Sequence, residues 1–195
     1  MVSVRSERPA RIPTALKILI AGGFGAGKTT MVGAVSEITP LQTEEVLSGV
    51  NDADDTQGVE GKTTTTVTMD FGRITISDDL MLYLFGTPGQ DRFWFLWDEL
   101  SEGALGAVVL ADTRRLADCF PSIDYFEQRG TPFVVAVNCF DQGKQFGTEA
   151  VAGALDLDPG VPVVPFDARD EASARNVLIE LVEYVARRQL TGVSR

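Results

Sequence analysis

Short runs of apolar residues alternate with longer amphipathic segments along most of the chain. The nearly continuous apolar runs predict β-strands that are buried on both faces, and the amphipathic segments between them predict helices. Such an alternation indicates a parallel sheet covered by helices on both sides. The predicted strands are 16–21, 106–111, 132–137 and 161–166, and the predicted helices are 28–38, 116–128, 149–155 and 171–188.

Two further apolar segments, 67–76 and 80–85, flank a Ser77-Asp78-Asp79 turn and predict an antiparallel hairpin whose second strand is the more central one. The fold class expected is therefore α/β: a doubly wound, mostly parallel six-stranded sheet with one antiparallel edge hairpin. The polar stretch from Gln42 to about Gln57 has no clear period, so we expect a long loop there that is either functional or disordered.

The 195 residues suit one domain, which we place at 14–195. Residues 1–13 contain Arg5, Arg8 and Arg11 without periodicity and are expected to form a mobile tail. The net charge of −11 argues against binding along nucleic acid and against a generally anionic membrane surface.

The residue inventory excludes several chemistries. There is no histidine, so a Ser-His-Asp triad, a Cys-His pair and a histidine zinc site are ruled out. Cys119 and Cys139 lack metal-ligand spacing and are expected to be ordinary core residues in a reducing compartment. With no signal peptide, lipidation motif or membrane-spanning run, the protein is expected to be cytoplasmic, and membrane recruitment would fall to its partners.

The segment 22–29, Gly-Gly-Phe-Gly-Ala-Gly-Lys-Thr, fits the phosphate-binding pattern G-x-x-x-x-G-K-[ST] directly after a predicted strand. Backbone N–H groups, the start of the next helix and the charge of Lys28 would cradle the phosphates of a nucleotide. The hydroxyl of Thr29 would bind Mg²⁺. The alternative is a glycine-rich turn that binds nothing. The candidate phosphate-binding residues are Gly22, Gly25, Ala26, Gly27, Lys28, Thr29 and Thr30.

The segment 85–90, Phe-Gly-Thr-Pro-Gly-Gln, resembles switch II of the small GTPases. The resemblance implies that Gly89 meets the γ-phosphate and that Gln90 orients the attacking water. Gly86 stands where that superfamily has an Asp that supports Mg²⁺. Asp112, at the end of the next strand, is one candidate to replace it; the alternative is that Asp112 caps a turn.

Asn138-Cys139-Phe140-Asp141 is similar to the N-K-x-D guanine motif of the same superfamily, with Cys139 in place of the lysine. Asp141 could accept hydrogen bonds from the N1–H and 2-amino groups of guanine, whereas adenine would leave its charge unpaired. The resemblance also implies that the N–H of Ala168 meets the base. In the run 63–66, Thr64 is the favoured Mg²⁺ ligand of switch I; the alternative is a threonine run that only starts a strand.

The phrases at 58–64, 84–93 and 137–141 resemble the conservon-type GTP-binding proteins of actinobacteria, which are related to bacterial polarity GTPases. That resemblance implies a signalling switch that binds GTP, GDP and Mg²⁺. It also implies partners: a roadblock-type regulatory protein and a sensor-kinase-like complex.

The aromatic run 93–97 is either a partner-binding patch or part of the core. Arg92, Arg114 and Arg115 are candidates for an arginine finger in cis; the alternative is that they are merely solvated. Three functions follow. The leading one is a slow Mg²⁺-dependent GTPase switch whose turnover a partner raises. The others are a GTP- or GDP-binding scaffold with little hydrolysis and an ATP-using P-loop enzyme.

Overall fold

Seven β-strands form a single sheet in the computed structural model, which describes residues 12–47, 65–88, 94–140 and 146–192. Their order across the sheet is β2-β3-β4-β1-β5-β6-β7. The strands are β1 Thr14–Gly22, β2 Leu41–Leu47, β3 Thr65–Ser77, β4 Leu80–Gly86, β5 Ala104–Ala111, β6 Phe133–Asn138 and β7 Val163–Phe166. The helices are α1 Lys28–Val35, α2 Trp94–Ser101, α3 Phe120–Arg129, α4 Thr148–Ala154 and α5 Glu171–Leu190, with a 3-10 turn at Leu116–Cys119 before α3.

The predicted fold class is confirmed, with one correction to the strand count. Strand β1 pairs in parallel with β4 and β5, and the parallel order continues to β6 and β7. The predicted hairpin is β3–β4, but β3 is not an edge strand, because β2 pairs with it antiparallel from Leu41 to Leu47. The loop that we expected from Gln42, because the stretch is polar and has no clear period, is therefore wrong as far as Leu47. An edge strand that is held by its backbone ladder needs no regular apolar face.

Two separate hydrophobic cores lie on the two faces of the sheet. One packs α1 and α5 against the strands, and it includes Met31, Val32 and Leu181. The other packs α2, α3 and α4, and it includes Trp97 and Phe126. Burial on both faces explains why the central strands are continuous apolar runs. The prediction for Cys119 is confirmed, since it is buried, whereas Cys139 is partly exposed.

The aromatic run contributes to the core through Trp97. Its side chain is only 3% exposed, and its indole packs edge-on against Tyr125 with ring centroids 5.1 Å apart. The indole N–H donates to the carbonyl of Pro88 at 3.3 Å. Trp97 therefore anchors α2 to α3, as the core interpretation predicts. Phe93 lies outside the described residues.

Candidate nucleotide-binding site

The loop 22–29 joins β1 to α1 at the carboxyl edge of the sheet. Gly27 has φ 109° and Gly22 has φ 130°, conformations that L side chains rarely adopt. A Cβ on Gly27 would lie 2.6 Å from the amide nitrogen of Asn138, and a Cβ on Gly22 would lie 2.5 Å from the carbonyl oxygen of Leu110. Both positions therefore require glycine, and the loop closes tightly on the neighbouring strand ends. Thr30, the last of the predicted phosphate-binding residues, lies in the first turn of α1.

Lys28 begins α1, and its ammonium group lies against the loop. It donates to the carbonyl oxygens of Gly22 and Gly23, both at 2.8 Å. Burial lowers the pKa of Lys28 from its ordinary value to about 8, an effect that the nearby charge of Asp70 partly opposes. A cation that is costly to bury gains from a bound anion, so the loop is electrostatically prepared for phosphate.

Thr29 and Asp70 form the second polar contact of the site. The Thr29 hydroxyl donates to a carboxylate oxygen of Asp70 at 2.6 Å, and Asp70 is only 6% exposed. Asp70 lies on β3 directly opposite Gly86 on β4. A Cβ on Gly86 would approach that carboxylate oxygen to 3.1 Å. Asp70 on the neighbouring strand therefore places a carboxylate close to where a side chain at position 86 would lie.

Asp70 was not among the residues predicted for this site. Its signal was a lone carboxylate in an apolar strand segment, Met69-Asp70-Phe71, but the strand register was needed to place it beside Thr29.

Asn138 links the phosphate loop to the loop after β7. Its side-chain amide donates to the carbonyl of Ala26 at 3.0 Å and accepts from the N–H of Ala168 at 3.1 Å. Asn138 is 6% exposed and Ala168 is 2% exposed, so both bonds are shielded from water. One buried side chain therefore brings three predicted binding segments together.

Asp112 caps a turn, as the alternative interpretation of this residue predicts. It accepts from the N–H of Arg114 at 2.9 Å, and both of its carboxylate oxygens are bound by the Arg114 guanidinium. These bonds lower the pKa of Asp112 despite its burial. Because its oxygens are engaged, the expectation that Asp112 replaces the missing metal-supporting Asp is not supported, and Asp70 is the better placed carboxylate.

The two neighbouring arginine candidates are both partnered. Arg114 is ion-paired with Asp112 at 2.7 Å. Arg115 donates to the carbonyl of Phe24 in the phosphate loop at 2.7 Å. Arg115 therefore contacts the phosphate loop, whereas Arg114 contacts Asp112 and Phe140. The remaining predicted residues, Thr64, Gly89, Gln90, Arg92 and Asp141, lie outside the described residues, as do positions 1–11 of the predicted tail.

The family described as "Conserved hypothetical ATP binding protein" matches residues 20–188, which include the phosphate loop and most of the sheet. The chain belongs to this family. An uncharacterized protein of Methanocaldococcus jannaschii is 28% identical over 130 residues, which are 66% of this chain and 72% of that protein.

Solved structures share the fold. The FeoB G domain of Methanococcus jannaschii is 15% identical with a TM-score of 0.57, covering 88% of this chain and 98% of that one. The G domain of the T. maritima FeoB iron transporter is 19% identical with a TM-score of 0.57, covering 89% and 98%. The apo cytosolic domain of that transporter is 17% identical with a TM-score of 0.59, covering 88% and 64%.

Family and fold together identify a P-loop nucleotide-binding protein with the architecture of a G domain. Within the described ranges, no helix has both the length and the apolar character needed to cross a bilayer.

Proposed function

We propose that this family member is a Mg²⁺-dependent GTPase that switches between GTP- and GDP-bound forms. The observation that carries the proposal is the buried Asn138 amide, which ties Ala26 of the phosphate loop to Ala168. That bridge supports a base site next to a phosphate site, built from the same segments that resemble the guanine motif. A turn that merely packed the helix against the sheet would not need it.

Guanine is the proposed base. Asp141 follows the fixed strand end at Asn138 and would accept hydrogen bonds from the N1–H and 2-amino groups of guanine. The family description names ATP instead, so an ATP-using enzyme is the second candidate. The two differ in base, because adenine offers Asp141 neither donor in the required places.

The residues present fit a magnesium ion. Mg²⁺ prefers oxygen ligands and takes one or two protein groups together with the phosphates. The Thr29 hydroxyl and the Asp70 carboxylate, with Thr64 from switch I, would hold it. Within the described part of the chain, no group of three or more His, Cys, Asp or Glu residues could hold a metal ion alone. When bound, Mg²⁺ would neutralise charge on the β- and γ-phosphates.

The chain's own residues would act by positioning and charge. Lys28, freed from the carbonyls of Gly22 and Gly23, would bind the β- and γ-phosphates, and the Gly89 N–H would meet the γ-phosphate. Gln90 would orient the attacking water. The resemblance to conservon-type proteins extends the proposal to regulation, with a roadblock-type protein raising turnover and a sensor-kinase-like complex receiving the signal.

A nucleotide-binding scaffold with little hydrolysis is the remaining alternative. Its motivation was the loss of two motif residues, at Gly86 and Cys139. The position of Asp70 opposite Gly86 weakens the first of these two reasons, because a carboxylate lies there after all. The second reason, Cys139, is unaffected.

Multiple-turnover phosphate release from GTP and from ATP tests the proposal. The wild-type protein should release phosphate from GTP only, faster with the roadblock-type partner. Gln90→Leu should bind GTP normally but hydrolyse it at least about tenfold more slowly. Turnover of ATP alone would favour the second candidate, and GTP binding without turnover, with or without the partner, would favour the scaffold.

A further inference from the structure

Arg114 joins the end of β5 to the segment that follows β6. Its guanidinium carbon lies 3.7 Å from the centroid of the Phe140 ring, a stacking distance. The other side of the arrangement is Asp112, which binds Arg114 through Nε at 2.9 Å and Nη2 at 2.7 Å. A planar guanidinium that donates two hydrogen bonds to one carboxylate cannot rotate freely, so it presents a fixed face to the Phe140 ring.

The ion pair between Asp112 and Arg114 is held in place by the burial of its carboxylate. The Asp112 side chain is only 4% exposed, whereas that of Arg114 is 43% exposed. Asp112 also caps its own turn by accepting from the N–H of Arg114. The carboxylate is therefore fixed to the strand end, and the arginine extends from it toward Phe140.

Phe140 lies in the segment that would recognise the base. The segment is fixed at its start by Asn138, and the N–H of Cys139 donates to the carbonyl of Phe166 at 2.7 Å. Beyond Cys139 the chain leaves the sheet, and the stack with Arg114 holds it at Phe140. The lysine whose stem would brace this region in small GTPases is replaced by Cys139.

We infer that Arg114 is a positioning residue for base recognition: held by Asp112, it stacks on Phe140 and fixes the chain immediately before the proposed base acceptor, Asp141. The inference rests on the proposed function. It assigns to this protein its own device for bracing the base loop, in place of the missing lysine. Arg114 would act through Phe140 without touching the nucleotide.

The neighbouring arginine provides a matched control. Arg115 carries the same charge in the same turn, but it donates to Phe24 in the phosphate loop. Arg115 also lies 3.8 Å from a carboxylate oxygen of Asp112, but the shorter bonds between Asp112 and Arg114 do not depend on it. Arg115→Ala should therefore weaken binding of all nucleotides by about the same factor. Arg187→Ala, which removes two ion pairs on α5, with Glu180 and Glu183, controls for the change in net charge.

The test compares affinities for GDP and for inosine diphosphate, which lacks only the 2-amino group, on nucleotide-free protein with Mg²⁺. A displaced acceptor costs GDP more than inosine diphosphate, so Arg114→Ala should shrink the preference for GDP about three- to tenfold. Phe140→Leu should shrink this preference by a similar factor, and Phe140→Tyr, which keeps an aromatic ring, should retain it. Arg115→Ala and Arg187→Ala should keep the wild-type ratio. Phe140→Leu also keeps the test decisive if Arg114→Ala folds poorly.

An unchanged ratio of the affinities for GDP and inosine diphosphate in Arg114→Ala or in Phe140→Leu would overturn the inference and leave the proposed function standing. An equal loss of affinity for both nucleotides is one form of that result. Wild-type protein that binds ADP as tightly as GDP would overturn the proposed function and this inference with it.

Discussion

Asp70 on β3 faces Gly86 on β4, and its carboxylate fills the space that a side chain on residue 86 would need. Asp70 therefore provides the carboxylate at this point of the two strands, and it accepts a hydrogen bond from the Thr29 hydroxyl at 2.6 Å. The pair explains how this chain can lack a carboxylate at the end of β4 and still offer oxygen ligands beside the phosphate loop.

Exchanging the two residues tests this relationship. Asp70→Gly should weaken Mg²⁺-dependent nucleotide binding about 10- to 100-fold, because the group that orients the ion's ligands is lost. Gly86→Asp alone should lower the free energy of unfolding by about 1–3 kcal/mol through crowding. The double variant should recover Mg²⁺ dependence, measured by titration with and without the ion. Asp78→Asn, in the exposed turn of the same hairpin, is the control; a double variant no better than Asp70→Gly would count against the exchange.

Asn138→Ala should destabilise the protein before any nucleotide is added. It orphans the Ala26 carbonyl and the Ala168 N–H, each buried, at a cost of about 1–3 kcal/mol apiece. Asn138→Asp is the matched variant, since its carboxylate can still accept from Ala168 but cannot donate to Ala26. Urea unfolding of nucleotide-free protein should rank wild type above Asn138→Asp and Asn138→Ala. Equal stability of all three would show that the bridge is not structural.

Nucleotide binding should take up a proton at alkaline pH. The pKa of Lys28 is lowered to about 8 in the free protein, so the Lys28 amine increasingly loses its charge above pH 8. Bound phosphate favours the charged amine and raises that pKa again. Affinity should therefore be steady below pH 8 and fall above it. Calorimetry at pH 9 in buffers of different ionisation enthalpy should detect the uptake, and none at pH 7; no uptake at pH 9 would contradict this role.

Trp97→Ala should cost about 3–5 kcal/mol of unfolding free energy, because it empties a buried site between α2 and α3. Trp97→Phe keeps part of the packing and loses the bond to Pro88, so it should cost less. Denaturant titration measures both. If Trp97→Ala left stability unchanged, the ring would belong to a partner surface instead of the core.

The alternation of apolar runs predicted the doubly wound sheet because burial on both faces leaves a strong signal in the central strands. The edge strand β2 left none, since its pairing depends on backbone groups. The register of the hairpin depends on the length of its turn. A two-residue turn at Asp78-Asp79 would pair Phe71 with Gly86, whereas the predicted three-residue turn pairs Asp70 with Gly86. The structure has the second pairing, because the ladder is irregular between Thr75 and Ser77.

The phosphate loop was predictable because its chemistry is local: glycines, Lys28 and Thr29 are consecutive in sequence. The contacts of Asp112 were not, because a carboxylate at a strand end can equally meet a metal or an arginine. The partner that decides it, Arg114, is two residues away, and its bidentate geometry appears only in three dimensions.

The central claim is a guanine nucleotide site, and the affinities of nucleotide-free protein for GDP and ADP in the presence of Mg²⁺ test it most directly. Tight GDP binding with a preference of about 10⁴-fold over ADP is the predicted result, since ADP would leave the Asp141 carboxylate unpaired. Equal or tighter binding of ADP would contradict the claim and favour the ATP-using enzyme.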